Sequence, residues 1–198
     1  MAKTKSNAFK NIIVLFVVAL VAVAVLAILN QITLEPIAKA EADARNAVYQ
    51  SVFSQADSFE EESFSYAPED SSIIINTVLQ AKDNSSQKLG YVFDVTSKNG
   101  YGGDVQIAVG ITNEGEITAF KVISASETPG LGAKSMEDEY ASQFTGLKAE
   151  EVKFVKGGSA NHDNNEIDAI SGATITTTAT TQAVNAAIDM FNTVLKGE

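Results

Sequence analysis

Residues 105–123, VQIAVGITNEGEITAFKVI, carry the most regular pattern of the chain and determine its fold. β-Branched and apolar side chains dominate residues 105–112 and 117–123, which is typical of strands. Residues 113–115, Asn-Glu-Gly, lie between the two runs and have the composition of a hairpin turn. This stretch therefore predicts two antiparallel strands joined by a short turn.

Strand signals continue on the N-terminal side of this hairpin. Residues 73–80 are β-branched and apolar, and residues 89–96 alternate between apolar and polar side chains. Residues 99–103, NGYGG, form a glycine-rich reversal before the hairpin. The acidic residues 57–72 predict a loop with a short extended piece. These patterns predict a meander of short antiparallel strands.

The C-terminal side predicts mainly loops and helices. A loop over residues 124–134 leads to a short helix over 135–144 with acidic residues in its first turn. Residues 152–155 predict a strand, and a polar loop follows. A terminal helix is expected from about residue 177 to residue 196, with an apolar face made of Val184, Ala187, Ile188, Phe191 and Leu195.

The N-terminal region carries a candidate membrane anchor. Residues 12–29, IIVLFVVALVAVAVLAIL, lack any polar side chain and would span about 27 Å as a helix, close to the thickness of a bilayer core. A cleaved signal peptide is the alternative, but its apolar region is usually shorter. Lys3, Lys5 and Lys10 precede the span, and acidic residues follow it. The positive-inside rule then predicts a cytoplasmic N-terminus.

These patterns predict an α+β protein at the cell membrane, with a single N-terminal transmembrane helix followed by a twisted antiparallel sheet flanked by helices. An alanine-rich stalk helix is expected to follow the anchor, with Pro36 in its first turn and with Val48 and Phe53 packed on the domain. The expected organisation is a cytoplasmic N-terminus (1–11), a transmembrane helix (12–32), the stalk helix (33–56) and an extracytoplasmic domain (57–198).

The composition excludes several kinds of chemistry. The 14 basic and 25 acidic residues give a net charge of −11, which argues against binding to nucleic acid. The chain has no cysteine, so disulfides, thiolate metal sites and a catalytic Cys are excluded. Its single histidine, His162, cannot form a multi-His metal site, and we expect that side chain to be solvated.

A threonine-rich segment, residues 171–181 (SGATITTTATT), is the most unusual part of the chain. Threonine favours helix N-termini, so one interpretation is a cap region that begins the terminal helix and leaves Thr176 exposed. The other interpretation is functional. The turn formed by Ser171, Gly172 and Ala173 would present free N–H groups to an anion at the positive end of the helix dipole.

The residues around this turn resemble a known modification motif. Residues 168–176, DAISGATIT, match the signature D-x-x-S-G-A-S/T-x-T of covalently flavinylated proteins at all specified positions. Residues 127–132, ETPGLG, are similar to the loop that lines the flavin in those families. Residues 100–103, GYGG, resemble their glycine turn. Ala125 departs from the pattern because many relatives have a His at this position.

The resemblance implies a flavin site. A flavin transferase would attach FMN through its phosphate to the hydroxyl of Thr176, and Asp168 would serve the transferase by recognition or by activating that hydroxyl. The implied cofactor-binding residues come from the two loops and are Thr176, Ser171, Gly172, Ala173, Thr174, Glu127, Thr128, Gly130, Leu131 and Gly132. Lys121 and Lys134 are either near the flavin or solvated.

Together with the single span, the motifs resemble the G subunits of Rnf-type ion-translocating ferredoxin:NAD oxidoreductases. That resemblance implies an electron-carrier subunit whose partners are other membrane and redox subunits. Membrane lipid is expected to surround its anchor, and no nucleic-acid partner is expected. The alternatives are the equivalent subunit of a sodium-pumping NADH:quinone reductase, a free-standing extracytoplasmic flavoprotein reductase, and a membrane-anchored binding domain without cofactor. A reductase would need acid–base residues that the chain does not obviously supply.

Overall fold

The hairpin predicted over residues 105–123 forms the last two strands of a five-stranded antiparallel sheet. The computed structural model describes the backbone of residues 2–196. It describes the side chains of the same residues, apart from those of residues 2–8 and residue 38. The strands follow each other in space in chain order, as expected for a meander. They are β1 (Ser58–Glu61), β2 (Ile73–Lys82), β3 (Lys88–Ser97), β4 (Val105–Thr112) and β5 (Ile117–Ala125).

The elements after the sheet are shorter than predicted. The expected helix over residues 135–144 is a short α-helix, α2 (Asp138–Ala141), between two 3-10 turns, Gly132–Met136 and Ser142–Phe144. The strand predicted over 152–155 is β6 (Lys153–Val155), and it pairs in parallel with β7 (Glu166–Asp168), which was not predicted. Three residues are too short to show a strand period.

The terminal helix, α3 (Thr174–Met190), continues into a π-helical turn over Phe191–Leu195. Its predicted apolar face is confirmed, because all five of those side chains are buried. Tyr91, Phe93 and Val95 of β3 belong to the same apolar core. This packing places the beginning of α3 beside the loops that follow the sheet.

The interpretation of the threonine run as a cap is wrong. The N-cap residue is Ala173, which makes no side-chain cap, and α3 begins at Thr174 rather than at about Thr177. The hydroxyls of Thr177, Thr180 and Thr181 instead donate to backbone carbonyls one turn earlier in the helix, at 3.0, 3.1 and 2.8 Å. These bonds satisfy the hydroxyls inside the core, so threonine is tolerated in the helix interior.

The predicted stalk is not a separate helix. A single helix, α1 (Ala2–Val52), contains both the apolar run and the alanine-rich segment, and Pro36 lies inside it rather than in a first turn. Proline removes one helical hydrogen bond, but the helix-forming residues on both sides continue the helix. The compact sheet unit begins at Asn46 rather than at residue 57.

The apolar part of α1 belongs to the unit that ends at Arg45. Within the described residues, one helical segment, Phe9–Val52 of α1, is long and apolar enough to cross a membrane. Its large apolar side chains from Phe9 to Ile37 are exposed, as expected for a surface that contacts lipid. The side chains of Lys3 and Lys5, on which the predicted orientation partly depends, lie outside the described part of the structure.

The end of α1 covers the second face of the sheet. Tyr49, Val52 and Phe53 form a second apolar cluster with Val92 of β3 and Ala108 of β4. The expected packing of Phe53 and Val48 is therefore observed.

A buried carboxylate ties this helix end to the sheet. Asp94 is 2% exposed and accepts hydrogen bonds from the Tyr49 hydroxyl at 2.6 Å and the Asn76 amide at 2.7 Å. The Gln106 amide donates to its two oxygens at 2.8 and 3.0 Å. A buried carboxylate is stable only with such a set of donors.

We expect Asp94→Ala to lower the free energy of unfolding of the sheet unit by about 3 kcal/mol, because it leaves several buried donors without a partner. Urea unfolding of the detergent-solubilised chain, followed by near-UV circular dichroism of its tyrosines, measures this loss. Asp104→Ala is the control, because Asp104 is exposed and should change stability by less than about 0.5 kcal/mol. Equal losses in the two variants would contradict the role of Asp94.

Candidate flavin site

A cavity of about 440 Å³ lies where the loop after β5 meets the N-terminus of α3. Its volume is within the range of small-molecule sites. Three segments far apart in the sequence line it: the glycine turn before β4, the ETPGLG loop and the SGATIT segment. The lining residues are Tyr101, Glu127, Thr128, Leu131, Gly132, Gly172, Ala173, Thr174, Ile175 and Thr176.

The Thr176 side chain lies at the buried side of this cavity. It is 1% exposed, so the expectation of an exposed hydroxyl at a helix start is wrong. Its Oγ1 donates a hydrogen bond of 2.8 Å to Oε2 of Glu127, which is itself 8% exposed. Thr176 is buried because it lies on the same face of α3 as Thr180 and Ala183, and that face packs on the core.

Glycines bring the backbone close to this pair. A Cβ on Gly132 would collide with Glu127 Oε2 and would lie 2.5 Å from Thr176 Oγ1. On the other side, the Gly102 N–H donates to Glu127 Oε1 at 3.2 Å. Gly172 adopts φ +77°, a conformation that favours glycine and allows the turn into α3. Gly132 is therefore required by the space available and Gly172 by its backbone conformation.

The start of α3 presents backbone donors to the cavity. By helix geometry, the N–H groups of Thr174, Ile175 and Thr176 have no carbonyl partner within the helix. All three residues line the cavity. These donors and the positive end of the helix dipole favour an anion such as phosphate at this place.

The outer part of the cavity is apolar. Tyr101, Leu131 and Ile175 are 69%, 43% and 51% exposed, and all three line it. Exposed apolar side chains around a cavity indicate contact with an apolar ligand surface. The cavity thus combines an anion-binding end with an apolar mouth, which fits the phosphate and the planar ring of FMN.

Eight of the ten predicted cofactor-binding residues line the cavity, and the other two lie apart from it. Ser171 lines a neighbouring groove together with Asp168, and Gly130 forms the turn of its loop with φ +76°. Tyr101 and Ile175 were not predicted as site residues. Ile175 occupies a position of the signature at which any residue is allowed, and Tyr101 lies among the glycines of the GYGG turn. Only their exposure beside the cavity in the structure identifies them.

Asp168 is hydrogen-bonded through its carboxylate to a group other than the Thr176 hydroxyl, and its role in serving the transferase stays a prediction. Its carboxylate accepts the Ala160 N–H at 3.1 Å and thereby holds the preceding loop. Its backbone N–H donates to the Gln143 side chain at 2.6 Å. The Thr176 hydroxyl is bonded to Glu127, which comes from a different motif.

The other singled-out side chains lie away from the cavity. Lys121 is 3.5 Å from Asp138, and Lys134 lines the neighbouring groove. His162 is exposed, as expected, and its Nε2 lies 2.7 Å from the Gln143 carbonyl oxygen.

A buried tyrosine supports the first turns of α3. The Tyr140 hydroxyl lies 2.8 Å from Thr180 Oγ1, and its ring packs edge-on against Phe120 and Phe144. Burial raises the pKa of Tyr140 to about 12. The phenol therefore remains neutral at physiological pH and serves as a hydrogen-bonding partner inside the core.

Comparison with known families first defines the class of protein. Residues 100–189 match the model of the FMN-binding domain. The fold is similar to NqrC of Shewanella oneidensis, with 25% identity, a TM-score of 0.52, and coverage of 59% of this chain and 58% of that one. It is also similar to the C subunit of the Na(+)-translocating NADH-quinone reductase of Parabacteroides distasonis, with 22% identity, a TM-score of 0.53, and coverage of 62% and 63%.

Curated relatives then identify the family. The G subunit of the Na(+)-translocating ferredoxin:NAD(+) oxidoreductase complex of Acetobacterium woodii is 34% identical, over 95% of this chain and 93% of the relative. The G subunit of the ion-translocating oxidoreductase complex of Methanosarcina acetivorans is 31% identical, over 91% and 92%. The chain belongs to this family of G subunits, whose members are parts of ion-translocating oxidoreductase complexes and hence of redox enzymes.

Proposed function

We propose that this chain carries FMN covalently bound through its phosphate to Thr176, and that it transfers electrons within a membrane-bound ferredoxin:NAD oxidoreductase complex. The observation that carries the proposal is the position of the Thr176 hydroxyl in a cavity built from all three motifs. The family model for FMN binding spans the same residues. FMN supplies the redox chemistry, and the chain supplies binding and orientation.

The charge of the linkage supports this placement. A phosphodiester on Thr176 carries one negative charge in a chain of net charge −11. The first turn of α3 is where backbone N–H groups and the helix dipole stabilise such a charge without arginines. Gly172 and Gly132 leave space for the backbone to approach the cofactor.

Electron carrying is favoured over a free-standing reductase by the lining of the cavity. Apart from Glu127, the cavity is lined by hydroxyl-bearing and apolar side chains and by glycines. Glu127 itself is hydrogen-bonded to Thr176 and Gly102. His162 and both candidate lysines lie elsewhere. Such a lining binds and orients a cofactor but offers little acid–base chemistry for a second substrate.

The proposed partners follow from the family. They are the other membrane and redox subunits of the complex, a flavin transferase during maturation, and the lipid around residues 12–32. One relative of 34% identity is named for Na(+) and another of 36% identity for protons. Because residues 12–29 have no ionisable side chain, we assign electron transfer to this chain and ion translocation to its partners.

The direct test is fluorescence of the denatured protein. After co-expression with a flavin transferase, the chain should give a flavin band under ultraviolet light that survives SDS electrophoresis. Mass spectrometry should place one FMN phosphoryl group on the peptide that contains Thr176. A colourless chain under these conditions would contradict the proposal.

We also propose that the flavin domain is extracytoplasmic. The lysines before the span and the acidic residues after it support this orientation. Protease added to spheroplasts should digest the chain after about residue 30 and leave residues 1–11 protected. Lysis before the digestion is the control and should remove that protection. A flavin domain that stays intact in spheroplasts but not in lysed cells would contradict the orientation.

A further inference from the structure

We propose that Glu127 is a catalytic residue for attachment of the flavin and accepts the proton of Thr176 as the bond to phosphate forms. This inference rests on the proposed attachment at Thr176. A threonine hydroxyl is a weak nucleophile at neutral pH and needs a base within hydrogen-bond distance. The Glu127 carboxylate occupies that place.

The geometry of the pair supports proton transfer. Thr176 Oγ1 lies 2.8 Å from Glu127 Oε2, within the range required of a general base. Both side chains are at least nine-tenths buried, so bulk water does not compete for the hydroxyl proton. This hydrogen bond also directs one lone pair of Oγ1 away from the carboxylate.

The surrounding backbone holds Glu127 in this position. Its second oxygen, Oε1, accepts the Gly102 N–H at 3.2 Å. A Cβ at Gly100 would lie 2.8 Å from Oε1 and a Cβ at Gly132 closer still to Oε2, so either would displace the carboxylate from this position. Two glycine motifs therefore enclose one carboxylate, and the carboxylate is bonded to one hydroxyl. This enclosure orients the base before reaction, as efficient general-base catalysis requires.

The reaction balances with FAD as donor. Oγ1 of Thr176 forms a bond to the phosphorus on the flavin side of the pyrophosphate of FAD. The bond between that phosphorus and the bridging oxygen breaks, and AMP leaves with the bridging oxygen. The hydroxyl proton moves to Oε2 of Glu127. The product has a phosphodiester on Thr176 beside a neutral carboxylic acid, so two negative charges are not placed in contact.

The test measures the rate of flavin transfer to the purified full-length chain by a purified flavin transferase with FAD. Glu127→Gln preserves size but removes the base, and we expect transfer to slow about 100-fold or more. Glu114→Gln is the matched control, because Glu114 is exposed in the β4–β5 turn, and it should react at the wild-type rate. Circular dichroism establishes that each variant is folded.

Chemical rescue separates base catalysis from packing. In Glu127→Ala, small carboxylates such as formate and acetate should restore transfer, with the more basic carboxylate giving the larger rate. A wild-type rate in Glu127→Gln, or a rescue independent of carboxylate basicity, would overturn the proposal.

A measurement on the wild-type chain covers the case in which the variants do not fold. Flavin transfer to the wild-type chain should be slower in D₂O than in H₂O, because the hydroxyl proton moves to the carboxylate as the bond to phosphorus forms. Equal rates in the two solvents would overturn the proposed proton transfer. Failure of the proposed function has a different result, because the wild-type chain would then accept no flavin or would accept it at a residue other than Thr176.

Discussion

Thr176→Ala is expected to abolish covalent flavin. The substitution removes the hydroxyl that would form the phosphodiester, and alanine supplies no oxygen in its place. In SDS electrophoresis, the fluorescent band of the wild-type chain should be absent from the variant after co-expression with a flavin transferase. Thr176→Ser retains a hydroxyl and should retain part of the signal.

The burial of Thr176 changes what this variant costs in stability. An exposed cap residue would contribute about 1 kcal/mol. Loss of a buried hydroxyl that is bonded to Glu127 should instead lower the free energy of unfolding by about 1–3 kcal/mol, less than the total stability of a typical domain. Circular dichroism should therefore show a folded variant with a lower melting temperature.

Neighbouring threonines provide matched controls. Thr174→Ala and Thr178→Ala change the same helix, and the Thr178 hydroxyl is bonded to the Thr174 carbonyl at 2.9 Å. Thr178 lies outside the motif and the cavity lining, so Thr178→Ala should keep the fluorescent band. A band that persists in Thr176→Ala and disappears in Thr174→Ala or Thr177→Ala would assign the attachment to a different residue.

The sheet could be predicted from the sequence because its information is local. The two β-branched and apolar runs in residues 105–123 and the turn at residues 113–115 specify a hairpin, and β4 has the predicted bounds. The turn closes with the Gly115 N–H donating to the Thr112 carbonyl at 3.0 Å, and Gly115 adopts φ +84°. These features depend on neighbouring residues alone.

Elements that depend on tertiary contacts could not be predicted in the same way. The threonine run lies inside α3 because the fold buries it, and its hydroxyls then bond to the preceding turn. The boundary between anchor and stalk disappears because Pro36 does not end a helix supported on both sides. β7 exists through its pairing with β6, and its three residues carry no pattern of their own.

The candidate site shows the same division. The motif around Thr176 is contiguous, so the proposed attachment residue could be chosen from sequence. Its partner Glu127 is 49 residues away, and only the fold brings the two side chains together. For this reason the sequence pointed to Asp168, within the same motif, as the residue that serves the transferase by recognition or by activating the hydroxyl.

The second large effect concerns the assembled complex. In a complex that contains Thr176→Ala, ferredoxin-driven NAD reduction and ion uptake into vesicles should both fall to background. Residues 12–29 have no ionisable side chain, so this span by itself offers no path for an ion. If the chain contributes electrons alone, removal of its FMN stops electron flow, and the ion transport that electron flow drives in other subunits stops with it.

The measurement requires an assembled complex that is free of FMN on this chain. Thr176→Ala leaves the anchor unchanged and should leave the sheet unit folded, so the purified complex should contain all subunits. Extensive washing should remove flavin held without a covalent bond. The Thr178→Ala complex is the control and should retain both activities. Full activity in a complex shown to lack FMN on this chain would place its flavin outside the electron path. Loss of ion uptake with unchanged NAD reduction would instead assign the chain a role in coupling.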